Sequence, residues 1–218
     1  MQERDREKAG RGTLFIVAAP SGAGKTTLVH ALRDALPGIT VSISCTTRPK
    51  RPGETEGKDY FFIDDAAFDD MVAGDQFLEH KTIFGYRYGT PRTWVFEQLE
   101  SGRDVILEID WQGARDVRKL VPGCVGVFIL PPAFSELEKR LRSRAEDDDA
   151  TIRRRMREAS NELSHYGEFD YLVINDNFED ALAELAALVR AVRQGEQPAV
   201  PGRRDFAGRL VAEAADLK

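Results

Sequence analysis

The chain has 218 residues and a formal net charge of −6 at pH 7, and 42% of its residues are hydrophobic, which is sufficient for a well-buried core. The acidic balance argues against a nucleic-acid surface as the main role and favours small anionic ligands bound by local basic groups. No apolar run approaches the ~20 residues that span a membrane, and the two cysteines lack CxxC spacing. We therefore expect a cytoplasmic protein without a nucleic-acid, membrane or obligatory protein partner.

The first predicted elements surround a glycine-rich loop. Residues 1–12 mix both charges without an apolar core, which predicts a disordered arm rather than a secretory signal. Residues 13–19 are apolar and β-branched, as in a buried parallel strand, and helical spacing follows the glycines until Pro37. The loop therefore leads into a helix N-terminus, whose unpaired N–H groups and dipole favour phosphate oxygens.

The loop itself predicts a phosphate cradle. Gly22 and Gly24 let the backbone approach a ligand, Lys25 can reach β and γ phosphates, and the Thr26 hydroxyl is placed to bind Mg²⁺. The strict GxxxxGK[ST] pattern begins with Gly where this chain has Ala, and the alternative is a glycine-rich turn that binds nothing. The predicted cradle comprises Ala19, Pro20, Ser21, Gly22, Ala23, Gly24, Lys25, Thr26 and Thr27.

Alternating polar and apolar residues come next, and residues 39–100 are predicted to form a small, mostly β insertion beginning at Ile39. Arg48 and Arg51 lie three positions apart in a proline-stiffened segment. Two such guanidinium groups can hold a phosphate through forked hydrogen bonds, although a single surface Arg is usually a solvated charge. Tyr60 and Tyr88 can add hydroxyl donors to the same anion.

Glu79 is the unusual residue of the insertion, because it follows Phe77 and Leu78 in a strand-like context where a carboxylate needs a partner. Guanine offers two parallel donors, N1–H and the exocyclic N2 amine, whereas adenine presents an acceptor at that edge. The alternative is a glutamate in solvent on an edge strand. Both interpretations remain open on the sequence.

Further strand-like runs at 103–109, 124–130 and 170–174 alternate with helical patterns, as in a parallel α/β sheet. Glu108 lies near the end of the first of these runs and Asp110 directly after it, where a carboxylate is positioned for Mg²⁺ or its bound water. Spacing does not decide between the two. We assign three segments to the core: 13–38, 101–133 and 169–194. The arginine-rich segment 134–168 is predicted to be a helical lid, and residues 195–218 are predicted to be a C-terminal tail with weak helical spacing.

From about Thr13 to Val192 the chain closely resembles the guanylate kinase family. The segments that carry the resemblance are Ala19–Lys25, Thr46–Arg48 with Arg51–Glu54, Asp59–Tyr60, Phe77–Glu79, Tyr88–Thr90, Asp110–Gly113, Ile129–Pro132 and Val173–Asp176. There are two departures. Glu108 stands where the family often has Asp, and Ala145 follows Arg144 where Gly is common.

The resemblance implies an α/β fold: a P-loop NTPase core with a parallel sheet flanked by helices, an inserted GMP-binding region and a helical lid. It implies direct phosphorylation of GMP to GDP, with ATP and Mg²⁺. By position, the resemblance implies that the GMP phosphate is held by Arg48, Arg51, Tyr60 and Tyr88, and that guanine is contacted by Ser44, Glu79 and Thr90. It implies that adenine lies near Asn175 and Asp176, and that the transferred group is covered by Arg140, Arg144 and Arg155. We expect Lys25, Arg51, Arg144 and Arg155 to be catalytic, and Glu108 and Asp110 to belong to the substrate-binding set.

Two other functions remain open. The first is a nucleoside monophosphate kinase that acts on AMP or a pyrimidine nucleotide, which Glu79 argues against. The second is a guanylate-kinase-like protein-binding module that has lost catalysis. Such a module can dispense with the cradle and the lid arginines, whereas this chain retains Lys25, Thr26, Arg144 and Arg155.

Overall fold

The computed structural model describes residues 10–83, 85–143, 148–198 and 202–216. The strands are β1 Leu14–Ala18, β2 Ile39–Val41, β3 Cys45–Thr46, β4 Phe61–Phe62, β5 Phe77–Ile83, β6 Tyr86–Pro91, β7 Asp104–Glu108, β8 Val125–Leu130 and β9 Tyr171–Ile174. The helices are α1 Lys25–Ala35, α2 Asp65–Ala73, α3 Arg92–Glu100, α4 Trp111–Leu120, α5 Phe134–Ser143, α6 Asp149–Ser164, α7 Phe178–Arg193 and α8 Arg203–Asp216, with a 3-10 turn at Tyr166–Glu168.

The central sheet of the described chain is parallel and has the strand order β2-β7-β1-β8-β9. β1 is the middle strand, and all five of its residues are buried. This position explains the unbroken apolar run in the sequence, because a central strand of a parallel sheet is covered on both faces. The glycine-rich loop follows β1 at the carboxyl edge of the sheet, where open α/β sheets bind their ligands.

The strand Ile39–Val41 differs from the prediction. Its alternating pattern placed it in the β insertion, but it pairs in parallel with β7 and forms an edge of the central sheet. Ile39 is buried, whereas Thr40 and Val41 are only partly covered. A half-covered edge strand alternates in the same way as a strand of an antiparallel sheet, so periodicity alone cannot assign it to one sheet.

A second, mixed sheet has the order β4-β3-β6-β5 among the described residues. β3 pairs in parallel with β4 and antiparallel with β6, and the register of β5 on β6 shifts between Phe77 and Glu79. Cys45, Phe68 and Phe77 form the buried cluster beneath this sheet, and Phe61 packs against it. The mostly β character predicted for this part of the chain is therefore confirmed.

The chain divides into two compact units. The first comprises the described residues up to Phe15, then Gly38–Leu107 and Gln112–Cys124. The second comprises Ile16–Pro37, Glu108–Trp111 and the described residues from Val125 onward. The predicted segment boundaries do not follow this division and stay a prediction.

The C-terminal helix α8 belongs to the second unit and packs against α6. Ala207, Leu210 and Ala214 are its buried residues, which explains the weak helical spacing seen in the sequence. The Phe134 N–H, at the start of α5, donates to Glu213 Oε2 at 2.9 Å. Within the predicted tail, residues 203–216 thus form a packed helix of this unit. No helix in the described part of the chain combines the length and apolarity needed to cross a bilayer.

Candidate functional site

The loop between β1 and α1 has the geometry of an anion cradle. Gly22 and Gly24 have φ angles of 90° and 86°, in the left-handed region that a β-carbon disfavours. The Ala23 N–H donates to the Pro20 carbonyl at 3.0 Å and closes a turn. Helix α1 begins at Lys25 with no acidic side chain in its first turn. The N-terminal N–H groups and the dipole of α1 therefore favour a bound anion.

Asn175, at the end of β9, supports this cradle. Its Nδ2 donates to the Ala23 carbonyl at 2.8 Å, and both atoms are buried. A β-carbon on Gly24 would lie 2.5 Å from the same Nδ2, so no larger residue fits there without a shift. The Asn175 carbonyl also accepts a hydrogen bond from Arg140 Nη2 at 3.2 Å. The structure thus joins three predicted site residues, and the adenine contact of Asn175 stays a prediction.

Thr26 and Glu108 place a hydroxyl and a carboxylate side by side in the second unit. Thr26 Oγ1 donates to Glu108 Oε2 at 2.9 Å, and His30 Nε2 lies 3.8 Å from Glu108 Oε1. Among the described residues, no group of three or more His, Cys, Asp and Glu side chains is arranged to hold a metal ion. One hydroxyl and one carboxylate fit Mg²⁺, which usually takes one or two protein ligands and completes its shell with water and phosphate oxygens. Glu108, one of the two carboxylates left open by the sequence, thus contacts Thr26 directly.

Arg48 lies among aromatic rings in the first unit and is 7% exposed. Its guanidinium carbon is 5.4 Å from the Tyr60 ring centroid and 5.9 Å from that of Phe62, within the range of cation–π attraction. Tyr60 and Tyr88 meet edge to face at 6.0 Å. Three of the four residues predicted for one phosphate are thus brought together. The fourth, Arg51, is exposed.

Glu54 joins Arg48 and Arg51 into one basic cluster, although its place in the sequence indicated no role. Arg48 Nη2 donates to Glu54 Oε1 at 2.6 Å, and the Arg51 N–H donates to Glu54 Oε2 at 2.7 Å. The hydrogen bond with Glu54 raises the pKa of Arg48, with a smaller contribution from Tyr88, while Arg48 lowers the pKa of Glu54. The available signal was a carboxylate six positions after Arg48 in a proline-rich turn.

Glu79 is buried on β5, with 6% of its surface exposed. Thr90 lies opposite it on β6, and Thr90 Oγ1 donates to Glu79 Oε1 at 2.6 Å. A β-carbon on Gly113 would lie 2.9 Å from Glu79 Oε2, so glycine leaves the space that this carboxylate occupies. The alternative of a solvated glutamate is therefore wrong, although β5 is an edge strand. Ser44, the third residue predicted for the base, is partly buried just before β3.

The described residues of the predicted lid form helices α5 and α6 and the 3-10 turn that follows. Arg140 lies on α5 and Arg155 on α6, whereas Arg144 lies outside the described residues. Arg142 Nη1 donates to Asp149 Oδ1 at 2.6 Å, which joins the end of α5 to the start of α6. Asp148 caps α6 by accepting the Thr151 N–H at 2.7 Å. Asp148 and Asp149 therefore mark the start of α6.

Asp176 lies beyond the end of β9, beside a cavity of about 340 Å³ in the second unit. Phe206 and Arg203 of α8 line the same cavity. Arg203 Nη2 pairs with Glu184 Oε2 at 3.0 Å, and burial raises the pKa of Glu184 despite this partner. The surroundings of Asp176 therefore include residues of the C-terminal helix, which the sequence left without a role.

Comparison with known proteins gives one consistent family. A family model described as guanylate kinase matches residues 11–192. The chain is 52% identical to the guanylate kinase of Methylococcus capsulatus over 203 residues, 93% of this chain and 98% of that protein. It is 55% identical to that of Coxiella burnetii over 183 residues, 84% of this chain and 89% of that protein. A crystal structure of guanylate kinase from Anaplasma phagocytophilum has a TM-score of 0.72 at 30% identity, covering 93% of this chain and 97% of that one. The matched range contains the cradle, the basic cluster and Glu79.

Proposed function

The chain belongs to the guanylate kinase family, and from that premise we propose that it transfers the γ-phosphoryl group of ATP directly to GMP, giving ADP and GDP. It is an ATP:GMP phosphotransferase. The roles of individual residues in this reaction are our assignment. The single observation that carries the choice of acceptor is the buried Glu79 carboxylate, oriented by Thr90.

ATP binds at the second unit in this assignment. Lys25 and the N–H groups at the start of α1 contact its β and γ phosphates, and the support is the pair of left-handed glycines that opens this helix. Thr26 and Glu108 would hold Mg²⁺, and the bound ion would neutralise negative charge on the phosphate groups. Asn175 keeps the loop in shape by holding the Ala23 carbonyl.

The GMP phosphate binds at the basic cluster of the first unit. Glu54 accepts from the Arg48 guanidinium and from the backbone N–H of Arg51, and one carboxylate against two guanidinium groups leaves a net positive charge for a phosphate dianion. The aromatic rings hold the Arg48 guanidinium in a fixed orientation, which reduces the ordering cost of binding. Tyr60 and Tyr88 supply hydroxyl donors to the same phosphate.

Guanine binds at Glu79. Its carboxylate accepts the N1–H and the exocyclic amine of the base, and Ser44 and Thr90 complete the contacts. Adenine would place a ring nitrogen acceptor against the same carboxylate, at the position where guanine places its N1–H donor. A site built around such a polar pair rejects the unmatched base strongly.

The chemical step requires little beyond placement and charge. A GMP phosphate oxygen attacks the γ-phosphorus in line, the bond to the ADP oxygen breaks, and no phosphoenzyme forms. The attacking phosphate needs no general base. Lys25, Arg51, Arg144 and Arg155 stabilise the charge that spreads over the transferred group. Asp110 remains a prediction for the substrate-binding set, and a cytoplasmic location also remains a prediction.

Substitution at Glu79 tests the assignment of the base. Glu79→Gln removes the charge and turns one acceptor into a donor, so we expect selectivity for GMP over AMP to fall by roughly 10²-fold to 10⁴-fold in kcat/KM. IMP lacks the exocyclic amine of GMP, and its disadvantage against GMP should shrink in the same variant. Thr82→Val, at an exposed position of the same strand, is the matched control. Unchanged selectivity in Glu79→Gln would show that guanine is recognised elsewhere.

A further inference from the structure

A carboxylate from α6 reaches the phosphate cradle. The Ser21 N–H donates to Glu162 Oε2 at 3.0 Å, a contact between residues 141 positions apart in the chain. Glu162 is partly buried near the C-terminal end of α6. The cradle is therefore held by one of the helices of the predicted lid as well as by the central sheet.

The neighbouring helix α5 also packs against the cradle. A β-carbon on Gly22 would lie 3.3 Å from the Leu137 carbonyl oxygen and 3.5 Å from Leu141 Cγ. Both leucines are buried. Residues 21 and 22 thus contact α5 and α6, whereas Asn175 of the sheet holds Ala23. The loop has one side that meets the helices and another that meets the sheet.

Glu162 and Arg155 lie on the same face of α6. They are seven positions apart, which in an α-helix corresponds to about 10 Å along the axis and nearly two complete turns. The helix runs unbroken from Asp149 to Ser164 and buries Ile152, Ala159 and Leu163. A contact that fixes Glu162 on the cradle therefore also fixes the distance of Arg155 from the cradle.

We propose that Glu162 is a positioning residue that holds Arg155 in register with the phosphate cradle. The proposal rests on the proposed function, in which Arg155 and the cradle act on the same phosphoryl group. A negative charge beside a phosphate site opposes binding of the anion. The proposed role of Glu162 therefore depends on the oxygen that accepts the Ser21 N–H and does not require the negative charge. This distinction separates positioning from electrostatic catalysis.

The first test compares three substitutions at this position by steady-state kinetics. Glu162→Ala removes the acceptor, and displacement of a catalytic group by about 1 Å lowers kcat about 10-fold to 100-fold. The KM for GMP should change less than about twofold, because the GMP residues lie in the other unit. Glu162→Asp shortens the side chain and should behave like Glu162→Ala. Glu162→Gln keeps an acceptor oxygen for the Ser21 N–H and should stay within about threefold of the unsubstituted protein.

Glu158→Ala, one turn earlier on the same helix, is the matched control and should leave kcat unchanged. Thermal unfolding of every variant identifies loss of folded protein. The kinetics of any variant that melts near the assay temperature are measured at a lower temperature, together with those of the unsubstituted protein. Unchanged kcat in Glu162→Ala with an active unsubstituted protein overturns the proposal. An inactive unsubstituted protein overturns the proposed function instead.

A double-mutant cycle with Arg155 separates positioning from a general structural effect. If Glu162 acts through Arg155, the Glu162→Ala loss should nearly disappear in an Arg155→Ala background. If Glu162 acts by stabilising the loop alone, the two losses should multiply. Losses that multiply would contradict the proposal that Glu162 acts through Arg155.

Discussion

Arg48 and Glu54 show how one carboxylate can prepare a phosphate site at the scale of single residues. Arg48 is almost fully buried, and a buried guanidinium requires a partner to offset its lost hydration. Glu54 supplies that partner and also holds the Arg51 N–H. One carboxylate thus contacts both arginine residues of the cluster.

Substitution of Glu54 should affect both stability and GMP binding. Glu54→Gln leaves a buried cation with a weaker partner, so the free energy of unfolding should fall by about 1–3 kcal/mol at pH 7. The KM for GMP should rise more than the KM for ATP. Urea unfolding and steady-state kinetics measure these effects, and the exposed Glu97→Gln is the control. Equal changes in the two KM values would contradict a role at the GMP phosphate.

The same pair predicts a pH dependence of stability. Arg48 lowers the pKa of Glu54 below its ordinary value of 4.5, so the folded state binds fewer protons there than the unfolded state. The stabilisation is present above that value and is lost as the pH falls through the lowered pKa. Urea unfolding from pH 6 down to about pH 3 should therefore show a steeper loss in the unsubstituted protein than in Glu54→Gln.

At this scale the sequence predicted the unusual residues but not their partners. Glu79 was identifiable because a carboxylate beside Phe77 and Leu78 is rare in a strand. Its contact with Thr90 depends on the register of β5 on β6, which shifts between Phe77 and Glu79. Gly113 and Glu162 act through contacts distant in sequence. Periodicity carries no information on any of these pairings.

At the scale of elements, the P-loop strand and helix were predictable because strong local signals agree: an apolar run, two glycines and a change of period. The sheet to which β2 belongs was not predictable. Its three residues alternate in the same way whether they join a parallel edge or an antiparallel insertion, and only the pairing with β7 decides. Helix α8 was visible as weak spacing, and its packing depends on the α5 and α6 surfaces.

Helix α8 should stabilise α5 through Glu213. The Glu213 carboxylate accepts the Phe134 N–H at the N-terminus of α5, where both a cap and a negative charge are favourable. Glu213→Ala should lower the free energy of unfolding by about 1 kcal/mol and increase amide exchange in the first turn of α5. Chemical denaturation and hydrogen exchange measure these effects. Glu196→Ala is the control, because Glu196 is exposed and lies outside α8. Equal amide exchange in the first turn of α5 in both variants would show that Glu213 does not cap this helix.

At the scale of the whole molecule, each unit carries the residues proposed for one substrate. The first holds the basic cluster with Glu79, and the second holds the cradle with Thr26, Glu108 and helices α5 and α6. The chain passes between the units several times, because Glu108–Trp111 belongs to the second unit while Gln112–Cys124 belongs to the first. Consecutive segments of sequence could not predict this interleaving, since it follows from contacts between distant strands and helices.

The direct test of the central claim is ADP release from ATP and Mg²⁺ by the purified full chain, with GMP, AMP, CMP, UMP and dTMP supplied separately. We expect rapid ADP release with GMP and little with the other four acceptors, because only guanine presents two donors to the buried Glu79 carboxylate. Comparable turnover with AMP or a pyrimidine nucleotide would contradict the assignment of the base site, and no turnover with any acceptor would contradict the phosphotransfer itself.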